Sequence, residues 1–283
     1  MSTLHNKIDF VALISVTNAN CNGDPLNGNR PRANNDDYGE ISDVCIKRKI
    51  RNRMQDLGHS IFVQSDDRCD DGFKSLSDRA KANLKDIKSS DEYAKAACEK
   101  WLDVRSFGQL FAFKGDKDGN SGVSIGVRGP VSVQQAVSVS PVDIEEMHIT
   151  KSVNGESKEG KASDTMGTKC FVRFGLYELK GAINVQLAEK TGFSEEDAET
   201  IKECLRTLFV NDASSARPEG SMEVVRLYWW KHNCKVGQYS SAKVHRSVKI
   251  TQKNPDAIPA SVDDYVIELE ELPGLTPEVI EGM

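Results

Sequence analysis

With 283 residues, 38% of them hydrophobic and 28% charged, the chain suits one large globular domain, or one with sizeable insertions, and no apolar run reaches the roughly 20 residues of a membrane helix. Seven scattered cysteines with no Cys-x-x-Cys pair argue against a disulfide framework or structural zinc site; with no basic-then-apolar leader at Met1–Lys7, they fit reduced thiols in a cytoplasm. The net charge of −6 excludes a uniformly basic surface, yet residues 254–283 hold eight acidic residues and no Lys or Arg, so the rest of the chain carries +2 and local patches decide what it binds.

Ile8 to Val16 is continuously apolar and reads as a central strand covered on both faces. A loop dense in Asn, Gly and Pro follows, from Thr17 to Arg32. Its glycines allow close backbone approach to a ligand. The amides of Asn20, Asn27 and Asn29 offer donors and acceptors, and Arg30 and Arg32 supply planar forks that match phosphate oxygens. A basic helix comes next, Ser42 to Met54, with Ser42 as N-cap and Asp43 in the first turn. Ile46, Ile50, Met54 and Leu57 form its buried stripe. Lys47, Arg48 and Arg51 lie to one side of that stripe, Lys49 and Arg53 to the other. Taken alone, this is a solvated charged face; behind the Asn/Gly loop it reads as an anion surface.

Gly58-His59 ends the helix, and Ser60–Gln64 reads as a short second strand. Residues 65–106 are polar, with Ala80, Leu84 and Ile87, then Tyr93, Ala97 and Trp101, at helical spacing, which predicts a helical insertion. Phe107–Phe113 reads as a strand. The turn Lys114–Gly122 mimics a calcium loop, but Ser121 stands where Gly is needed and Val127 where Glu is needed. Val123–Val139, rich in alternating valine, predicts one long or bent strand around Gly129-Pro130. Residues 144–168 have little to bury, and Asn154-Gly155 marks a tight hairpin turn. Lys169–Leu187 returns to strand character. Ser194, with Asp197 three residues on, caps a helix whose buried stripe is Ile201, Leu205 and Leu208. Met222–Trp230 is a last strong strand. With the inserts removed, this order is compatible with an α+β, ferredoxin-like βαββαβ core.

Asn22–Arg32 with Ser42–Arg51, then Trp101–Gly108, Ile125–Val131 and Met166–Tyr177, together resemble the guide-RNA-coating backbone subunit of CRISPR Cascade complexes, most closely the type I-C version. The resemblance implies an RNA-recognition-motif palm (1–64, 107–143 and 169–253), a finger at 65–106 and a thumb hairpin at 144–168, with 254–283 as an acidic end. It implies a cytoplasmic protein without cofactor or membrane contact. Its partners would be guide RNA, target DNA through that guide, further copies of itself, and the guide-processing and large subunits. RNA would meet Arg30, Arg32, Lys47, Arg48 and Arg51, with Gly129 permitting close backbone approach. Met166 and Lys169 on the thumb would displace bases. Met166 reads equally as a base wedge or as a core residue.

The chain has no phosphate loop and no dinucleotide fingerprint, and its five histidines are isolated in sequence. The other function class is a metal-dependent ribonuclease on the same palm, using carboxylates among Asp24, Asp36, Asp37, Glu40 and Asp43. Those residues read more simply as turn and cap residues.

Overall fold

The computed structural model describes residues 2–85, 87, 89–113, 123–150, 152–153 and 166–283. The turn at 114–122 and the hairpin tip at 154–165 lie outside the described residues. In chain order the elements begin with β1 (Ile8–Ala19), β2 (Gly23–Asp24), β3 (Arg30–Pro31), β4 (Tyr38–Ile41) and α1 (Asp43–Asp56). Next come α2 (Leu76–Leu84), α3 (Ser90–Lys100), α4 (Leu102–Phe107), β5 (Gly108–Phe113), β6 (Val123–Arg128), β7 (Val131–Val133) and β8 (Ala136–Pro141). Then follow β9 (Ile144–Thr150), β10 (Met166–Ile183), α5 (Val185–Thr191), α6 (Glu195–Arg206) and β11 (Met222–Lys231). The chain ends with α7 (Ser241–His245), β12 (Val248–Gln252), β13 (Tyr265–Leu269) and β14 (Glu278–Glu281).

The main sheet is antiparallel, in the order β14-β11-β1-β10-β8-β4, with β7 and β9 also pairing on β10. β1 sits at its centre because Ile8–Val16 is buried on both faces and apolar except for Asp9 and Ser15. Phe10, Ala12, Ile14 and Val16 pack beneath α1 and α6, while Val11 and Leu13 pack beneath the C-terminal layer of α7, β12 and β13. Ser42 caps α1 through Cys45 N–H, and Ser194 with Asp197 forms a complete capping box on α6, both as expected. Ile46, Ile50 and Met54 are fully buried; Leu57 is not, because α1 has ended and Leu57 is its C-cap.

Three expectations give way. Ser60–Gln64 forms no strand, because the Phe62 and Val63 amides donate to the Asp103 carboxylate (2.6 and 3.0 Å) instead of to a ladder. The stretch Lys169–Leu187 is strand only to Ile183, where Asn184 caps α5. The stretch Val123–Val139 breaks into three strands at Gly129-Pro130 and Gln134-Gln135.

The helical insertion has its own core of Phe62, Ala80, Leu84, Tyr93, Ala97, Trp101 and Val104, closed by Phe111 of β5. β5 and β6 pair with each other and not with the main sheet, so the insertion continues past residue 106. Residues 254–283 are built into the fold: β13 pairs with β12, and β14 forms the edge of the main sheet beside β11.

Candidate nucleic-acid interface

The Asn/Gly loop is shaped mainly by its own amides. Asn20 is buried and its Nδ2 donates to the Asn29 carbonyl (2.6 Å). Gly28 and Asn29 both take the left-handed conformation (φ +58), open to Gly and tolerated by Asn. The Asn29 side chain lies over Gly23, where an added Cβ would come within 2.0 Å of Oδ1. Asn22 Oδ1 accepts from Ser42 N–H (2.9 Å), which fastens the loop to the start of α1. Asn27 and Leu26, the latter 96% exposed, stand outermost.

The loop returns through β3 to the base of the β9–β10 hairpin. There Arg30, its side chain 39% exposed, ion-pairs with Glu146 of β9 at 3.6 Å. Arg32 turns back to Asp24 at 3.3 Å. The strand register separates the two hairpin residues singled out from sequence. Met166 pairs with Thr150, Thr168 with His148 and Cys170 with Glu146, so Met166 shares the face of Arg30's partner. Lys169 pairs with Met147 and projects from the opposite face, where Ile149 lies along Gly167. Met166 is 74% exposed, which removes the core reading for it.

The basic helix is more heavily engaged with the protein than its sequence suggests. Lys47 pairs with Asp43 (2.9 Å) along the same helix. Arg48 donates to the Val63 carbonyl (2.8 Å); burial, then the neighbouring Arg51, push its pKa down. Arg51 Nε donates to the buried Asp103 carboxylate (3.0 Å), and its guanidinium lies over the Phe107 ring, 5.1 Å from the centroid. Lys49 and Arg53, read as a solvent-facing flank, are both buried against the α6 side. Lys49 pairs with Asp212, and Arg53 bonds Thr207 (3.1 Å) and Asp56 (2.8 Å). Asp103 and Asp212 organise this helix and were not among the residues picked from sequence; the signal in hand for Asp103 was its place in the Trp101–Gly108 block. The space at Gly129 is taken by the chain's own backbone, since a Cβ there would sit 2.3 Å from the Ser106 carbonyl.

The carboxylate cluster does not converge. Asn34 Oδ1 accepts from the Asp36 and Tyr38 amides, making a side-chain-closed turn, and Asp24 Oδ1 accepts from Leu26 N–H. Among the described residues, no group of three or more His, Cys, Asp or Glu side chains is placed to hold a metal ion. Burial pushes the Cys21 and Cys98 thiols up to about 11 and that of Cys204 to about 12, so none is an activated nucleophile at neutral pH. Trp229 and Trp230 are buried on opposite faces of the sheet, stacked on Phe10 and Tyr228 respectively.

No helix of the described chain is long and apolar enough to cross a membrane. Comparison with known proteins adds the following. A Haloferax volcanii protein described as CRISPR-associated protein Cas7 is 26% identical over 288 residues, covering 96% of this chain and 83% of the relative. Two solved chains, from a "CRISPR RNA-guided surveillance complex, pre-nicking" and a "CRISPR RNA-guided surveillance complex", are 16% and 17% identical. Each alignment covers 79% of this chain, with 78% and 68% of theirs, at TM-scores of 0.46 and 0.43. The family model for CRISPR-associated protein Cas7 matches residues 6–270. The chain belongs to the Cas7 family of CRISPR-associated proteins.

Proposed function

We propose that this chain is a non-catalytic RNA-binding subunit of a type I-C Cascade complex. Copies of it line up along one CRISPR guide RNA and leave the bases free to pair with target DNA. Membership of the Cas7 family supports the setting. The observation that carries the reading is the junction of loop and hairpin. Among the described residues, half-exposed Arg30 is held by a single long ion pair to Glu146, on the hairpin face from which exposed Met166 projects. A guanidinium so weakly committed can exchange its carboxylate for a phosphate, and an exposed thioether on the same hairpin face, four residues along β10 from the position opposite Glu146, suits a gap between bases.

Arg30, Arg32, Asn27 and Lys47 form the nearer set of contacts, with Asn20 and Asn29 shaping the loop behind them. Arg48 and Arg51 lend positive potential from positions already bonded to protein. Lys169 serves the opposite side of the thumb. Strand order β11-β1-β10-β8 favours the ferredoxin-like palm, with α1 joining β1 toward β8 and α6 joining β10 toward β11 on one face. In this reading the helical insertion is the finger. The guide-processing and large subunits bind elsewhere on the assembly.

The test is a mobility-shift assay with labelled single-stranded RNA and magnesium. Expected are slower-moving complexes with intact RNA, lost steeply as salt rises because phosphate contacts release counterions. Arg30→Ala with Arg32→Ala weakens binding several-fold. Failure to bind at low ionic strength overturns the reading. So does cleavage that disappears in Asp36→Ala or Asp37→Ala, which establishes the ribonuclease instead.

A further inference from the structure

On the sheet face away from α1 and α6, the C-terminal layer covers only part of β8 and β10. It leaves an open groove of about 540 Å³ between those strands and the α7–β12 segment. Val137 and Val139 of β8 and Glu178 and Lys180 of β10 line one wall; Arg246 and Lys249 line the other. Gln134, Gln135 and Tyr38 stand at its edge. Lys180 is paired with Glu178 (2.7 Å), and Lys249 meets Glu270 at 3.7 Å with both side chains more than half exposed. Arg246 is exposed, and no carboxylate among the described residues ion-pairs with it. The lining therefore holds three cations, two of them met by Glu178 and by Glu270 just outside it, with primary amides and a phenol beside them.

That combination suits a chain of phosphates carrying polar bases: point charges and a guanidinium for the backbone, amides for base edges, and low-dielectric walls that strengthen both. Position adds a second argument. Tyr38 begins β4 directly after the Asn34-closed turn, which follows shortly on the end of the Asn/Gly loop at Arg32. The groove thus continues from the loop, around the sheet edge, onto the other face.

We propose that this groove carries further phosphates of the bound single-stranded RNA, so that the RNA footprint on one protomer wraps the β4–β8 edge. The inference rests on the RNA-binding reading above. Its test measures affinity for fluorescent oligouridylate across a salt series. The variants are Arg246→Ala with Lys249→Ala, Arg30→Ala with Arg32→Ala, and a control of exposed cations elsewhere, Lys100→Ala with Lys190→Ala. With two phosphate contacts removed, the groove variant binds roughly tenfold more weakly at fixed salt. Its slope of log affinity against log salt is shallower by about 1.4, while the control matches the unmodified chain.

A groove variant with unchanged slope, beside a weakened Arg30/Arg32 variant, overturns the groove and leaves the RNA-binding reading standing. No binding by any form, the unmodified chain included, removes that reading itself. A groove variant that keeps RNA affinity but changes sedimentation assigns the groove to contact between copies and also overturns the proposal. Circular dichroism of each variant establishes that a lost slope is not lost folding.

Discussion

Helix α1 and the base of the β9–β10 hairpin use charge in opposite ways. The helix carries five Lys or Arg in 14 residues, and the protein itself engages all five: Lys47 with Asp43, Arg48 with Val63, Lys49 with Asp212, Arg51 with Asp103, Arg53 with Asp56. The hairpin base presents far fewer cations, but Arg30 and its partner Glu146 are both near half exposed. Density of positive charge in a sequence therefore measures availability poorly. A cation in a buried pair has already exchanged water for a carboxylate, and withdrawing it leaves that carboxylate stranded. A cation in an exposed pair gives up little when a phosphate replaces its partner.

The comparison breaks most visibly at Arg51. The helix wheel places it to one side of the buried stripe, on what reads from sequence as an anion surface. The structure instead makes it the counter-charge of Asp103, whose other contacts are the Phe62 and Val63 amides. Arg51→Ala is expected to cost about 3–5 kcal/mol in urea unfolding, the range for stranding one member of a buried ion pair. RNA affinity per folded molecule should fall far less than in the Arg30 and Arg32 variant. A loss of stability under 1 kcal/mol would place Asp103 in contact with water and undo the distinction.

Buried charge also anchors the C-terminal layer, and there pH sharpens the comparison. His245 is buried and bonds the Gly181 carbonyl through Nε2 (2.9 Å). Burial, the largest influence, pushes its pKa below the ordinary 6.5, against the Gly181 bond and Asp9, with Lys180 adding to the fall and Glu178 opposing it. Protonation is thus harder in the native state than in the unfolded chain. His245 favours folding fully above about pH 6.5, and that contribution is lost as pH falls through this value toward the native pKa. Asp9 behaves differently. Burial alone would raise it, but hydrogen bonds with His232, Ser241 and Lys7 outweigh burial and hold it below 3.8, so its contribution survives through the histidine window. Unfolding free energy measured between pH 7 and 5 should decline with a slope of at most about 1.4 kcal/mol per pH unit. His245→Gln should flatten that slope; an unchanged slope places the titrating group elsewhere.

What the sequence disclosed follows from how local each determinant is. The central strand was legible because Ile8–Val16 carries apolar residues on both of its faces, with only Asp9 and Ser15 polar, and α6 because Ser194 and Asp197 form a complete cap within four residues. Ser60–Gln64 was misread because the carboxylate that takes its amides is 40 residues or more away at Asp103. The burial of Lys49 and Arg53 was invisible for the same reason: pattern reading counts a cation as solvent-facing, while Asp212 and Thr207 arrive from beyond α6. The two faces of the hairpin followed from the parity of Met166 and Lys169 once both lay in one strand, whereas Arg30's partner on β9 required the fold.

The smallest stability change is expected where the change in RNA binding is large. Arg30→Ala removes an ion pair at 3.6 Å between half-exposed side chains, a geometry worth under about 1 kcal/mol and offset by the rotamer freedom regained. Met166→Ala removes a side chain that is 74% exposed, so little apolar surface returns to water and no cavity opens. The β9–β10 ladder is unaffected by either change, because its bonds are made by backbone. The double variant should therefore unfold within about 0.5 kcal/mol of the unmodified chain, as surface substitutions away from special features do. Its RNA affinity should nevertheless drop several-fold, the inverse of Arg51→Ala. If the double variant loses stability in proportion to affinity, the hairpin base is a structural joint like α1, and the division between committed and available charge disappears.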